Sequence, residues 1–466
     1  MAFRDWMRVT ALGLGAGVLG ALLWFSARAR TAIRVGTAVV SHTLCSGVFI
    51  SHLDPEQLYA DAILANPAQA ALARRLRYTI ERKDHQVIVT WAGHFESRAV
   101  YRGDLGCMVV HQGGRAAASL ESPPDAANAA APPSAGTPLP SAPPSPAIQA
   151  ALDRAFVEPQ RPPWRRVKSI VILHNGEILG ERYAPGYGAA TPLMGYSVSK
   201  SVINAFIGIL VRQGKLSVAQ CAPVAAWSSS GDPRRSITVD ELLRMTSGLA
   251  IAESDSGFDP VSRMLFLESD MAGFAERAPL QAAPGARWEY TSGNTLILSR
   301  IVRDSVGGHA QDVLRFAQRE LFGPLGMGSA RMDFDATGTP VGSMYFYATA
   351  RDWARFGALY LHNGVIGGRR ILPAGWTNYS AASTLNTDYG AGFWTNRGSH
   401  GNARYRVAGG MPADSFYASG NFGQRIVIVP SENLVIVQFG QSRGAGQDIQ
   451  GLVRLTAGVS AYLRQQ

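Results

Sequence analysis

The sequence predicts an α+β fold whose antiparallel sheet is assembled from the two ends of one large domain, with helices in between. Three observations carry this. The stretch "SIVILHNGEILGERYAP" places two apolar runs around Asn175-Gly176, the dipeptide that most strongly marks a tight hairpin. Far downstream, "DSFYASGNFGQRIVIVPSENLVIVQFG" reads as three short strands broken by turns at Asn421 to Gly423 and at Pro430 to Asn433. Between these ends lie helical segments stopped by glycine, and no internal repeat.

The elements follow in order. Between Arg8 and Arg28, "VTALGLGAGVLGALLWFSA" runs 19 residues without a charge, about the length that spans a bilayer. It has no polar face, so residues 1–34 are expected to be a membrane anchor or a signal peptide, and "ARA" at Ala27 to Ala29 has the small-x-small form of a cleavage site. Residues 35–115 read as a small extension, with a helix in "PEQLYADAILANPAQAALARRL" and strands in "HQVIVTWAG" and "HFESRAVYR". Residues 116–148 are rich in proline, alanine and serine, too poor in large apolar side chains to order themselves, and form a linker. The main domain covers 149–466. Its helices are predicted at the segment following Ser197, at "ITVDELLRMTSGL" (237–249) ending at Gly248, at 293–308 and at 349–364, with a last helix after the final strand.

Composition narrows the function classes. The chain has 466 residues, 46% hydrophobic and 17% charged, with a net charge of +10 carried mostly by arginine, since Lys83, Lys168, Lys200 and Lys215 are its only lysines. The arginines are scattered and accompany no zinc finger, RNA-binding signature or basic heptad, so no nucleic-acid partner is expected. Of the three cysteines, Cys45 and Cys107 both fall in the extension and Cys221 stands alone; an oxidising compartment would permit a Cys45–Cys107 bridge, and three free buried thiols are the alternative. Neither the cysteines nor the nine dispersed histidines have metal-ligand spacing, and no cofactor motif is present. His174, on the first strand, reads as a packed or edge residue. The segment "GYSVS" lacks the second glycine of Gly-x-Ser-x-Gly.

Three short stretches carry chemistry. In "YSVSKSVINAFIGIL", Ser197 and Lys200 are three residues apart, which puts both on one face of a helix. Val202, Ile203, Phe206, Ile207, Ile209 and Leu210 leave that helix no wet side. A buried ammonium is disfavoured, so Lys200 is expected to titrate below its usual value of about 10.4, towards ~7–8, and to serve as a base. Ser197 would lie at the helix N-terminus, where its own N–H points at a developing oxyanion. The bland reading is a lysine snorkelling from a core helix. The second stretch is "WEYTSGN": a buried Tyr290 next to a lysine can relay a proton, and alone it is a core tyrosine. The third is "YASGNFG", where the N–H of Gly420 or Asn421 can complete an oxyanion hole, and alone it is a β-turn. Tyr389 and Trp394 fit either a cleft wall or the core.

Taken together, these stretches resemble the serine β-lactamase/penicillin-binding superfamily, whose signatures are Ser-x-x-Lys, a middle Ser/Tyr-x-Asn element and Lys-Thr-Gly. The chain looks most like class C β-lactamase-like serine hydrolases of the branch that includes 6-aminohexanoate-dimer hydrolases and related esterases. The resemblance spans roughly residues 165–445 and rests also on "ITVDELLRMTSGL", "ATARDWARFGALYL" and "GQRIVIVPSENLVIV". It implies a β-lactamase/transpeptidase-like fold with an all-helical lobe, Ser197 as nucleophile, Lys200 as its base and Tyr290 as proton shuttle. It further implies an oxyanion hole of the Ser197 and Asn421 N–H groups, and substrate contacts at Ser292, Ser419 and Gly420. The stretches "LCSGVFIS" and "GDLGC" look like an extension of exported members, which favours pairing Cys45 with Cys107.

Two departures matter. Ser292 stands where asparagine is expected, with Asn294 two residues on as a second candidate. Ala418-Ser419-Gly420 replaces Lys-Thr-Gly, removing a cation that would hold a substrate carboxylate by about 1.5–3 kcal/mol unless Arg425 or Arg404 substitutes. The expectation is an exported serine hydrolase of small-molecule esters or amides, periplasmic and tethered by its N-terminus or secreted if cleaved, needing no cofactor. The alternatives are a penicillin-recognising DD-peptidase or β-lactamase, and a catalytically silent envelope binding protein.

Overall fold

The structure, a computed structural model, describes residues 27–64, 70, 73–110, 138–141, 143–161, 164–254, 256–443 and 448–466. Most of the expected anchor and most of the linker therefore lie outside the described residues. Helix α1, Ala27–Phe49, is long and apolar enough to cross a bilayer, yet most of it is buried inside the molecule. It runs without a break through residue 34, where the anchor was expected to give way to the extension. The reason is its composition: Val35, Ala38, Leu44 and Cys45 join the core with Val87, Val89 and Ala99 of a four-stranded antiparallel meander. The meander comprises β1 (Leu76–Glu81), β2 (Gln86–Trp91), β3 (His94–Tyr101) and β4 (Cys107–Val110). Ser41 and Ser97 hydroxyls meet at 3.0 Å across the same contact, and a disulfide joins Cys45 to Cys107.

The helix expected from Pro55 is interrupted by a change of geometry, and part of it lies outside the described residues. Within the described residues it is α2, Pro55–Tyr59, capped by Asp54, which widens into a π-turn over Ala60–Leu64, and helical geometry recurs at residues 70 and 73. Helix α3, Pro146–Phe156, starts inside the expected linker, because Ser145 caps it and Pro146 fits the first turn.

The main sheet has the order β12-β13-β14-β15-β5-β6, antiparallel throughout. Strands β5 (Val167–His174) and β6 (Glu177–Tyr183) come from the start of the domain. Their two-residue turn has Asn175 at φ 49° and Gly176 at φ 81°, the left-handed pair such a hairpin requires. Strands β13 (Phe416–Gly420), β14 (Gln424–Val429) and β15 (Leu434–Gly440) come from its end, and β15 pairs with β5 to join the two. β12 is the short Trp394–Thr395 edge. Side chains alternate between two cores. Ile170, Ile172, Val427, Val429 and Ile436 face α3 and the C-terminal helix Ile449–Leu463. Val171, Leu173, Ile426, Ile428, Val435 and Val437 face the helical lobe.

That lobe contains α4 (Ser199–Arg212), α5 (Val239–Leu243), α6 (Ser292–Val306) and α7 (Ala350–Leu361). Two small ribbons complete the fold: β7 (Leu193–Met194) and β8 (Arg331–Met332) flank β9 (Phe346–Ala348), and β10 (Val365–Ile366) pairs with β11 (Arg369–Arg370). Helix α5 is a correction to the expected 237–249 helix. It opens with a Thr238–Glu241 capping box but stops at Leu243. The carbonyls of Met245, Thr246 and Gly248 instead accept N–H groups from Glu289, Gly285 and Gln281, which outbids helix continuation. His174 ends β5 half-buried beside the hairpin.

Candidate active site

The Ser197 turn is made by local geometry. β7 delivers the chain to Gly195, and Tyr196 then takes φ 48°, a left-handed conformation that is uncommon for a bulky residue and characteristic of constrained sites. A 3-10 turn over Tyr196–Val198 follows and runs straight into α4, so Ser197 sits at the head of the helix, half-exposed. The side chain of Tyr196 turns inward, edge-on to Phe422 at 5.1 Å. Residues Ser199 to Leu210 of α4 are all buried, as the apolar run requires.

Lys200 is 3% exposed. Its Nζ donates to Ser197 Oγ at 2.9 Å, to Ser292 Oγ at 3.0 Å and to the Ser343 carbonyl at 3.1 Å. The Tyr290 ring lies over the same nitrogen, 4.8 Å from it. Snorkelling is therefore not what this lysine does: its amine is held inside, one hydrogen bond from the serine hydroxyl, where a proton can pass between them. Ser292 occupies the polar position beside Lys200, while its own N–H donates to the Glu253 carboxylate at the head of α6. Asn294 is elsewhere. It accepts from Ser247 Oγ at 2.8 Å and lies against Met245 Sδ, tying α6 to the turn after α5.

The third stretch approaches from β13. Gly420 is there because nothing larger fits: a Cβ on it would lie 2.2 Å from Gly195 O and 3.1 Å from Tyr196 Cβ. The Ser197 turn and the end of β13 thus touch backbone to backbone. Asn421 begins a 3-10 turn whose Oδ1 accepts from Phe422 N at 3.0 Å, and Gln424 Nε2 donates to the Asn421 carbonyl at 3.0 Å. Ser419 is half-buried on β13 and pairs in register with Arg425. Arg425 is buried, and burial lowers its pKa from the ordinary guanidinium value. Two of its bonds run to the main-chain carbonyls of Gly420 (2.7 Å) and Gln424 (2.8 Å), so it braces the strand end. Arg404 is exposed on the helix Gly401–Ala408.

An aromatic cluster flanks Tyr290. Its ring contacts Tyr389 and Trp394, each at 5.7 Å, and these two contact each other at 5.2 Å and Trp288 at 5.8 and 6.2 Å. Tyr389 is core, at 1% exposure, with its hydroxyl unpartnered among the described residues and burial pushing its pKa well up. Trp288, Tyr290 and Trp394 are half-buried and form a wall. Among the described residues no three His, Cys, Asp or Glu side chains gather as a metal cluster.

Sequence reasoning missed three contributors. Trp288 was findable, standing two residues before Tyr290 in the same aromatic stretch. Glu253 lies 39 positions from Ser292, with no motif to link them. Ser343 contributes a main-chain carbonyl, which any residue supplies.

Residues 153–458 match the family model described as Beta-lactamase. A 6-aminohexanoate-dimer hydrolase of Paenarthrobacter ureafaciens is 26% identical over 294 residues, covering 58% of this chain and 71% of that protein. A solved structure from Bacillus anthracis, described as a candidate 6-aminohexanoate-dimer hydrolase, aligns with a TM-score of 0.59 at 21% identity, covering 72% of this chain and 89% of that one. A family VIII carboxylesterase aligns with a TM-score of 0.51 at 14% identity, covering 67% and 95%. At such identities the structural likenesses speak for the fold, which is β-lactamase/transpeptidase-like.

Proposed function

The chain belongs to the beta-lactamase family, and we propose that it is a serine hydrolase that cleaves esters or amides through an acyl-enzyme on Ser197. The observation that carries this is the buried Lys200 amine, 2.9 Å from a half-exposed serine hydroxyl. In this reading Ser197 Oγ attacks the substrate carbonyl while Lys200 takes its proton. The tetrahedral oxyanion is held between the N–H groups of Ser197 and Asn421. Tyr290, stacked over Lys200, hands a proton to the departing alcohol or amine, and water then releases the acyl group, with proton transfer through the same residues. No cofactor enters these steps.

Substrate preference follows from the β13 side. Ala418 stands where a lysine would hold a carboxylate, and Arg425 is buried, with its Nη1 on the main-chain carbonyls of Gly420 and Gln424. Esters and uncharged amides are therefore favoured over penicillins or stem peptides, in keeping with relatives described as a 6-aminohexanoate-dimer hydrolase and a carboxylesterase. The Ser197–Lys200 contact also argues against a silent binding protein. Export, with residues 1–34 as anchor or signal peptide, is supported by the uncharged apolar run between Arg8 and Arg28 and by the disulfide.

The test is hydrolysis of a short-chain p-nitrophenyl ester by the parent, Ser197→Ala and Lys200→Ala. A nitrophenol burst in the parent, with turnover reduced about 10³-fold or more in both variants, is expected. Equal turnover by all three would refute the reading.

A further inference from the structure

The carbonyl that takes Lys200's third hydrogen bond belongs to a segment that touches the Ser197 turn repeatedly. Ser343 O accepts from Lys200 at 3.1 Å, Phe346 N donates to Ser199 Oγ at 3.2 Å, and Phe346 O accepts from Gly195 N at 2.7 Å. Residues 343–346 are thus the seat on which the nucleophile turn and the head of α4 rest. Gly342 seats this segment closely, since a Cβ there would lie 2.4 Å from Ile203 and 2.6 Å from Ser299 Oγ.

The N-terminal extension meets Tyr345 and Tyr347, the residues on either side of Phe346. The His42 ring from α1 stacks on Tyr345 at 3.8 Å between centroids. His42 Nε2 donates to Asp333 Oδ2 at 2.9 Å, and Tyr347 Oη donates to the same oxygen at 2.9 Å. Cys107 N donates to Asp333 Oδ1 at 3.1 Å, and Arg102 donates to the Phe334 carbonyl. Asp333 is fully buried and is knitted to the seat through its own backbone, Asp333 N to Tyr345 O at 3.0 Å and Val341 N to Asp333 O at 2.8 Å. A buried carboxylate needs such partners, because an unpaired one is expensive. Two of the three come from the extension. Those two are also linked covalently: Cys107 is bonded to Cys45, which follows His42 by three residues, one turn along α1. Gly106 allows the approach, as a Cβ on it would fall 1.9 Å from Asp333 Oδ1.

We propose that the disulfide-tied extension is part of the hydrolytic apparatus, with His42 and Asp333 as positioning residues that hold the 343–346 seat, and through Ser343 hold Lys200 in register with Ser197. This rests on the serine-hydrolase reading above. A seat that relaxes by a fraction of an ångström leaves substrate binding intact and misaligns the proton transfer, so the effect belongs in kcat rather than in KM.

The test uses the full chain, a short-chain p-nitrophenyl ester, and melting curves to establish folding. His42→Ala is expected to lower kcat roughly tenfold or more with KM within about twofold of the parent, and His42→Gln, which keeps an N–H donor, to recover part of the loss. Should His42→Ala fail to fold, Tyr347→Phe decides, because it deletes one donor to Asp333 and keeps the ring; a drop in kcat of about threefold at unchanged KM is expected. A folded His42→Ala or, in its absence, a folded Tyr347→Phe with the parent's kcat overturns the proposal. Ser197→Ala, run alongside, separates the two ideas: if it turns over like the parent the hydrolase reading falls, whereas an inactive Ser197→Ala beside fully active His42 and Tyr347 variants removes only the positioning role.

Discussion

On one side of Ser197, Lys200 is buried, shares its amine among three oxygens and rests on α4, whose residues from Ser199 to Leu210 are all buried. On the other side, Ser419 of β13 and the Trp288–Tyr290–Trp394 wall are half-open, and their charges are few: Ala418 is uncharged, and Arg425 is buried with its Nη1 on two main-chain carbonyls. The first side can do chemistry on any acyl group, because it handles only a hydroxyl, a proton and an amine. On the proposed reading the second side lends the Tyr290 hydroxyl and the Asn421 N–H to the chemistry, while its Trp288 and Trp394 rings meet the rest of the substrate. The Ser197–Lys200 pair and the two tryptophans thus have separate tasks, and substitutions on them should separate in kcat and KM.

Gly420→Ala tests the seam between the two sides and should be the most damaging substitution outside the Ser197–Lys200 pair. The added Cβ would sit 2.2 Å from Gly195 O, so either β13 or the Ser197 turn must give way. A loss of roughly 100-fold in kcat is expected in a protein that still melts cooperatively; unchanged kcat would mean that the turn can retreat without carrying Ser197 with it. Ser292→Ala acts on the chemical wall alone. Removing one acceptor from the Lys200 amine should cost about tenfold in kcat, with KM little altered, equivalent to ~1.4 kcal/mol. A change in KM alone would move Ser292 to the selectivity side. The mildest is Trp394→Ala on the aromatic wall, expected to raise KM about threefold to fivefold for an aryl or long-chain ester and to leave kcat for a small acetyl ester unchanged. An equal fall in kcat for both esters would erase the distinction between the walls.

How much of this was legible depended on whether the information was local. The Asn175-Gly176 hairpin and the three closing strands were readable because turn chemistry and alternation act over a few residues. The Ser197–Lys200 pair was readable because helical spacing alone puts the two on one face. Helix α5 was overestimated because the carbonyls of Met245 to Gly248 find partners some 40 positions later, and no local rule anticipates that. The polar role of Ser292 over Asn294 was likewise decided by tertiary packing: both lie on α6, and only the pairing of Asn294 with Ser247 shows which one is turned away. Ser343 was invisible in principle, since its contribution carries no side-chain signature. The extension was recognised as a unit, but its grip on Asp333 depends on residues that share no motif.

The His42–Asp333 contact spans 291 positions. A loop that long closes late, since distant partners must be ordered before the contact repays the cost of joining them. The extension precedes Asp333 and Tyr347 in the chain and cannot take hold until both are present, and β15 must then arrive to pair with β5. On the proposed reading, a chain in which the 343–346 seat has not yet formed lacks the contact that aligns Lys200 with Ser197.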